Sequence, residues 1–379
     1  MAKRIYVGVG NTARRVKKAY VGINGIARRI KKAYIGVGGV ARPCFSTELE
    51  YWGNKGGFLN QWAGSAALGD YAIFAGGYYA EQTTTRYKPQ KDVVAYSKTL
   101  TQISNVKDLS EERYDLSGAT VGNYALFGPG SRSSWSTQEV DVYDKSLTKI
   151  TDKTLTFTTA SSGYAAAAVG NYALFTNQKI VEVFDSSLTH TTLSDFASGG
   201  DKSYDKGTTV GGYAIFGGGP SLPKAVDAYD SSLTHFKPAD HTHGRRFYAA
   251  TAIGDYAIFG GGDTFNLESN LPTALEVYDK SLVHTNSSEL SVPRESLAAT
   301  SVGDYAIFAG GSGQESSDVS AVVDVYDASL VHTIGRDLSK ARDCLTAATV
   351  GNYALFASGN TEGGTSKKGS TSIVDVYTA

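Results

Sequence analysis

Four arginines recur at a fixed distance before a repeated tyrosine, and their spacing is the first pattern that could carry chemistry. A Tyr-Ala-Ile-Phe type motif occurs seven times, and a basic residue stands eleven positions before five of its tyrosines. These residues are Arg113, Lys202, Arg245, Arg294 and Arg342. A ring of such cations could capture an anionic ligand, for example an acidic glycan or a phosphate polymer. Acidic neighbours would weaken that field, and repeated arginines also serve as hydrogen-bond donors between repeats, so the sequence leaves both roles open.

Histidines and carboxylates are the next candidates for a metal site or for catalysis. His241 and His243 have the alternating spacing that places two imidazole rings on one side of a strand, with Asp240 as the only further ligand nearby. A structural zinc site needs more ligands than this, so we expect no metal. We find no nucleophile elbow, zinc-type cysteine spacing or phosphate-binding glycine loop, and therefore expect neither a cofactor nor an enzyme. A pair of catalytic carboxylates has no sequence signature of its own, so a carbohydrate-active enzyme remains the alternative.

Aromatic residues in segments of variable length are the second group of candidate binding residues. Five lie in such loops, and a sixth lies just before the first motif: Tyr78, Tyr79, Tyr87, Trp135, Phe265 and Trp62. Exposed aromatic rings at these places could stack on sugars or anchor a protein partner. The same rings could instead pack the loops against the scaffold.

The scaffold is predicted by the repeat that contains the motif. Its tyrosines are separated by 41 to 53 residues and are Tyr71, Tyr124, Tyr172, Tyr213, Tyr256, Tyr305 and Tyr353. Strand-like repeats of this period are typical of β-propeller blades. The composition agrees, because 43 glycines and 24 tyrosines favour short strands and tight turns over helices. We therefore predict an all-β fold with a seven-bladed β-propeller.

Each repeat predicts four strands. A strand of small residues is followed by a Gly-Asp or Gly-Asn turn, the aromatic strand, a variable loop and a third strand of the Val-Asp-Val-Tyr-Asp type. The closing aspartate of that third strand can bond its own backbone in the next turn, which explains its recurrence without chemistry. The short turns would form one constant face, and the variable loops would form a diverse face suited to binding. Loops that vary without binding anything are the alternative.

The two ends of the chain predict how the ring closes. The seventh repeat stops after its third strand, in the segment Val374-Asp-Val-Tyr-Thr-Ala379. Residues 47–52 have the position of a fourth strand relative to the first repeat, so we expect them to complete the last blade. A closed ring leaves no open sheet edge between its first and last blades. The predicted propeller domain is thus residues 45–379.

Residues 1–44 differ from the rest of the chain in charge. They hold 11 basic residues and no acidic one, whereas the remainder holds 25 basic and 37 acidic residues. A 14-residue period beginning at Tyr6 predicts six short strands in a small basic β-meander. A sheet that buries neither face is marginal in water, so we expect a docking module, with a solubilising leader as the alternative. Its docking residues would be Arg14, Arg15, Lys17, Lys18, Arg28, Arg29, Lys31 and Lys32. Nucleic acid is not expected as a partner, because no known reader motif is present.

The repeats resemble kelch repeats over residues 45–379. The glycine pairs Gly76-Gly77, Gly217-Gly218, Gly260-Gly261 and Gly310-Gly311 match the kelch pattern, as does the tyrosine-aspartate ending of the third strand. Blades two, three and seven depart from the glycine pair, and Ser-Leu-Thr-His or Ser-Leu-Val-His replaces the kelch tryptophan strand. The 14-residue repeats also resemble leaders that precede such propellers in proteins of phages and prophages of Gram-positive bacteria. That resemblance implies a part of a virion or tail.

These observations together give a functional expectation. We expect a non-enzymatic component of a phage tail or related particle, which docks on other virion proteins through residues 1–44. Its propeller face would contact a host surface glycan or a partner protein, with many copies in each particle. A purely architectural decoration protein is a further alternative. The chain shows neither a secretion signal nor an apolar run long enough to cross a membrane, so we expect synthesis in the host cytoplasm and residence in the virion.

Overall fold

The computed structural model describes most of the chain. Side chains are described within residues 62–379, where the segments 81–86, 104, 133–135, 151–154, 159–164, 177–179, 194–205, 220–223, 265–271, 286–287, 314–317 and 363–368 lie outside the described residues. Before residue 62, the described parts are the backbones of seven strands. No helix occurs in the described part of the chain, so no helix there could cross a membrane.

Seven four-stranded antiparallel sheets form the blades of a β-propeller, which confirms the predicted fold. From the innermost strand outward, blade 1 has Gly64–Leu68, Tyr71–Ala75, Val93–Ser97 and Gln102–Ile103, and blade 2 has Gly118–Val121, Tyr124–Phe127, Glu139–Asp144 and Leu155–Thr156. Blade 3 has Ala165–Val169, Tyr172–Thr176, Val181–Asp185 and His190–Leu193, and blade 4 has Lys206–Val210, Tyr213–Gly217, Val226–Asp230 and His235–Phe236. Blade 5 has Ala249–Ile253, Tyr256–Gly260, Glu276–Asp279 and His284–Thr285, and blade 6 has Ala298–Val302, Tyr305–Ala309, Val323–Asp327 and His332–Ile334.

Blade 7 joins the two ends of the chain. Its first three strands are Thr346–Val350, Tyr353–Ala357 and Val374–Thr378, and its fourth strand is Glu50–Asn54. Glu50 pairs with Thr378 and Asn54 with Asp375, with a register shift between Val376 and Tyr377. The closing strand therefore lies slightly later in the sequence than the predicted segment 47–52, of which residues 47–49 are outside the described residues.

The apolar core is divided among the seams between blades. Seven buried clusters are present, and each combines residues of two neighbouring blades. In the seam between blades 7 and 1, for example, Phe74 and Tyr96 pack with Leu355 and Val376. Aromatic side chains of the second and third strands are large enough to fill these wedges, whereas the crowded axis admits only small residues. The seam between the last and the first blade is packed like the others, so the ring is closed.

Hydroxyl groups connect the innermost strands around the central channel. Thr120 donates to the carbonyl oxygen of Ala67 across 2.8 Å, and Thr209 donates to that of Ala168 across 2.6 Å. Ser65 donates to the carbonyl of Ala347, which lies in the neighbouring blade at the closure. Innermost strands otherwise lack a sheet neighbour, so these bonds satisfy carbonyl groups that would face the channel.

The basic segment at the start of the chain forms six strands. They pair as three two-stranded hairpins: Tyr6–Val9 with Thr12–Arg15, Ala19–Ile23 with Ile26–Ile30, and Lys32–Val37 with Val40–Ser46. The expected period of 14 residues thus corresponds to one hairpin. Whether residues 1–44 act as a separate domain stays a prediction.

Candidate functional site

The turns of the constant face are built by aspartate side chains, as the sequence predicted. In blade 6, Oδ1 of Asp327 accepts hydrogen bonds from the backbone amides of Ser329 and Val331. The corresponding bonds are present at Asp144, Asp185, Asp230 and Asp279. These aspartates therefore hold turns and need no chemical role.

The four repeated arginines do not form an exposed cation ring, so the ligand-binding alternative is wrong for them and the structural alternative holds. Each side chain is fully buried and forms an ion pair with the carboxylate at the second position of the Val-Asp-Val-Tyr-Asp type motif in its own blade. The pairs are Arg113–Asp141 at 2.5 Å, Arg245–Glu276 at 2.8 Å, Arg294–Asp324 at 2.6 Å and Arg342–Asp375 at 2.8 Å. A buried guanidinium neutralised by a carboxylate cannot meet a ligand from solution. Lys202, at the same repeat position in blade 4, lies outside the described residues.

These arginines instead connect neighbouring blades. The side chain of Arg342 donates to the carbonyl oxygens of Ser358 and Phe356 in blade 7, while its own carbonyl accepts from Gly311 in blade 6. Gly77, Gly219 and Gly262 donate in the same way to Arg113, Arg245 and Arg294. The arginine and the glycine segment before it are therefore two halves of one contact between blades.

The repeated histidines bond, from the outer side, to carboxylates at the same repeat position, two of which also pair with arginines. The Nε2 atoms lie 2.6–2.7 Å from the paired carboxylates in His190–Glu182, His235–Asp227, His284–Glu276 and His332–Asp324. In blade 2, Lys149 takes the histidine position and lies 2.6 Å from Asp141. Burial would raise the pKa of Asp141, but the positive charges of Arg113 and Lys149 outweigh burial and hold that pKa below its usual value.

His241 and His243 form no metal site among the described residues. His241 is buried against the rings of Tyr248, Phe259 and Tyr278, at the position that Leu109, Leu290 and Leu338 occupy in other seams. His243 approaches Glu276, with Nδ1 3.4 Å from Oε1. Burial, helped by the charge of Arg245, lowers the pKa of His241 to about 3.

The aromatic residues predicted as candidate binding residues differ in how far they are buried. Tyr78 is buried, with its ring packed edge-on against Trp62 and Tyr114 at centroid distances of 5.2 and 5.3 Å, so it is not an exposed binding residue. Tyr79 is half-buried. Trp135 and Phe265 lie outside the described residues, and of Tyr87 only the backbone is described, in the strand Tyr87–Pro89 that pairs with Tyr78–Ala80. Trp62 is half-buried as well.

Trp62 belongs to a ring of residues around the channel mouth on the diverse face. The ring occupies the position nine residues before the blade tyrosine, and its described members all have a positive φ between 48° and 56°: Trp62, Asp115, Phe247, Ser296 and Cys344. Their backbones are bonded from blade to blade, because Ser296 donates to Phe247, Cys344 to Ser296, Trp62 to Cys344 and Asp115 to Trp62. The backbone of the mouth is thus the same in each described blade, while the side chains differ.

The ring surrounds a cavity of about 510 Å³ at the start of the innermost strands. Its wall consists mainly of alanine, glycine and leucine, with hydroxyl groups from Ser117, Ser296 and Thr346. Asp115 and Lys206 are the charged residues among those described in this lining. The cavity surface is thus mixed, with apolar side chains and polar groups side by side, and its volume is within the range of small-molecule sites.

Most of this mouth was missed by the sequence analysis. Only Trp62 was among the candidates, whereas Phe247, with 43% of its surface exposed, was not. The available signal was a repeat position at which the residue type changes in every blade. It was overlooked because the neighbouring arginine position is more regular.

The docking residues of the first segment lie on its hairpins as far as these are described. Arg14 and Arg15 end the strand Thr12–Arg15, Arg28 and Arg29 lie in Ile26–Ile30, and Lys32 begins Lys32–Val37. Lys17, Lys18 and Lys31 lie outside the described residues. Their docking role stays a prediction.

Comparison with known proteins supports the architecture alone. No protein-family model and no curated protein matches this chain. Among solved structures, the chain is similar to one titled "Structure of YjhT", with a TM-score of 0.54 and 13% sequence identity over 84% of this chain and 95% of the other. At this identity the likeness shows the fold, and the chain is a seven-bladed β-propeller.

Proposed function

We propose that this protein is a non-enzymatic binding component of a phage tail or related particle, and that the channel mouth is its binding site. The observation that carries the proposal is the mouth ring, in which one backbone conformation presents a different side chain in each described blade. Constant backbone with variable side chains is the arrangement that binding surfaces on rigid scaffolds use. The ligand would be a host surface glycan or a partner protein.

The direction of the closing strand supports a docking role for the basic segment. Glu50 pairs with Thr378, the last residue of a third strand, and third strands end at the constant face. The chain before Glu50 therefore joins the propeller on the side opposite the mouth. A particle protein bound by residues 1–44 would leave the mouth directed away from the particle. The kelch-like and phage-like features of the sequence agree with this role.

Co-sedimentation of the purified full chain with host cell envelopes tests the proposal. We expect the protein to be retained without release of soluble sugar, and a Phe247→Ser variant to be retained less. Release of sugar would show a carbohydrate-active enzyme instead. A protein that the particle incorporates but whose diverse face binds nothing would be an architectural decoration, and the proposal would be wrong.

A further inference from the structure

We propose that the mouth recognises an uncharged saccharide rather than an acidic one, an inference that rests on the proposed binding function of this site. An anionic ligand was one of the two possibilities that the repeated arginines left open in the sequence. The structure removes Arg113, Arg245, Arg294 and Arg342 from the mouth, since all four are buried in ion pairs. What remains in the described lining is one exposed carboxylate, Asp115, and one exposed amine, Lys206. The net charge of the described lining is therefore zero, and a polyanion gains nothing from it.

Arg246 does not restore a positive site. Its Nε and Nη2 atoms donate to Oδ2 of Asp263 across 3.0 and 2.8 Å, and the backbones of the two residues are also bonded to each other. The guanidinium carbon lies 4.9 Å from the centre of the Phe247 ring. The charge of Arg246 is therefore neutralised by Asp263, and its guanidinium packs against the Phe247 ring and holds that ring in place.

Two aromatic rings are presented at the mouth by blades 1 and 5. Phe247 is 43% exposed, and Trp62 is half-buried with its indole fixed by Tyr78. The apolar face of a pyranose carries C–H groups that pack on the negative face of an aromatic ring. The hydroxyls of Ser117, Ser296 and Thr346 and the carboxylate of Asp115 are suited to sugar hydroxyl groups. Two aromatic rings, together with hydroxyl groups and one carboxylate that can accept hydrogen bonds, therefore match a neutral sugar.

Isothermal titration of the full chain with two sets of oligosaccharides tests this inference. One set is neutral, made of hexose and N-acetylhexosamine oligomers, and the other is acidic, made of hexuronate oligomers. The informative variant is Phe247→Ser, because Ser296 already occupies the same ring position with the same positive φ. The matched control is Val283→Thr, another exposed apolar residue, at a position where blades 1 to 4 have threonine.

We expect neutral oligosaccharides to bind, with affinity falling about tenfold in Phe247→Ser and unchanged in Val283→Thr. Tighter binding of hexuronate oligomers, with the same loss in Phe247→Ser, would overturn the neutral class but keep the mouth as the binding site. Saccharide binding that Phe247→Ser leaves unchanged would overturn the site itself. If neither set binds while the protein still sediments with envelopes, the saccharide inference fails and the proposed binding function stands.

Discussion

Arg294 and Asp324 form an ion pair inside blade 6, with 2.6 Å between Nη2 and Oδ2 and both side chains completely buried. Asp324 also meets His332 from the outer strand and the amide of Ser291 from the preceding connection. One carboxylate thus ties together the inner connection, the third strand and the outer strand of a blade. Blade 1 lacks this arrangement, because Val94 stands at the position of the carboxylate.

The ion pair leads to a prediction about stability. Asp324→Val leaves the Arg294 guanidinium buried without its counter-charge, so we expect the free energy of unfolding to fall by about 3–5 kcal/mol. The double variant Arg294→Asn with Asp324→Val copies the residues of blade 1, where Asn60 stands eleven residues before Tyr71, and it should lose less stability than the single variant. Guanidinium unfolding followed by fluorescence measures both. A double variant that loses the sum of the two single effects would show that the pair is not coupled.

His241 predicts a pH dependence. Its pKa is about 3 in the folded protein and near 6.5 in an unfolded chain, so the unfolded state binds more protons between these values. The stability that depends on neutral His241 is complete above pH 6.5 and is lost as the pH falls towards 3. His241→Leu restores the residue of the equivalent seams, and we expect it to flatten the loss of stability between pH 6.5 and 5.

Measurements above pH 5 distinguish the effect of His241 on stability from the effect of its acidic neighbour, Glu276. The charge of Arg245 outweighs burial and lowers the pKa of Glu276 to about 2, so Glu276 affects stability only as the pH falls below about 4.5. Unfolding curves of the wild type and His241→Leu at pH 7, 6 and 5 give the comparison. Equal slopes for the two proteins would contradict a buried, neutral His241.

Gly310 tests the contact between blades that the glycine segment makes. Its φ is +69°, and a Cβ there would lie 2.6 Å from the carbonyl oxygen of Arg342. We expect Gly310→Ala to cost roughly 1–3 kcal/mol, because a strained backbone and a clash coincide. The control is Gly212→Ala, where φ is +93° and no atom lies within 4 Å of the added carbon. If thermal melting shows equal losses, the clash with Arg342 does not matter.

Truncation separates docking from ring closure. Removal of residues 1–44 leaves the closing strand Glu50–Asn54 in place, so the propeller should melt at its usual temperature while association with the particle is lost. Removal of residues 1–54 exposes the edge of Val374–Thr378, and we expect aggregation. Light scattering and particle co-purification report the two effects. If the variant that lacks residues 1–44 still assembles normally into the particle, the docking role is excluded.

The general architecture could be predicted because it is repeated. Seven copies of one motif specify seven sheets, and the alternation of small, aromatic and acidic residues specifies the order of strands within each. The turn aspartates, such as Asp327, were interpreted correctly because their bonds are local in sequence. The arginines were harder, since Arg294 and Asp324 are 30 residues apart and nothing local shows that they meet.

The number of blades, the strand order and the separation of charge between the first segment and the propeller are properties of the sequence, because they follow from period and composition. The burial of the repeated arginines and the position of Trp62, Asp115 and Phe247 around one cavity are visible only in the folded chain. Burial and shared surfaces depend on which segments the closed ring brings together, and no local stretch of sequence specifies that. A repeat position with a different residue in each blade indicates a shared surface only once the closed ring places those residues side by side.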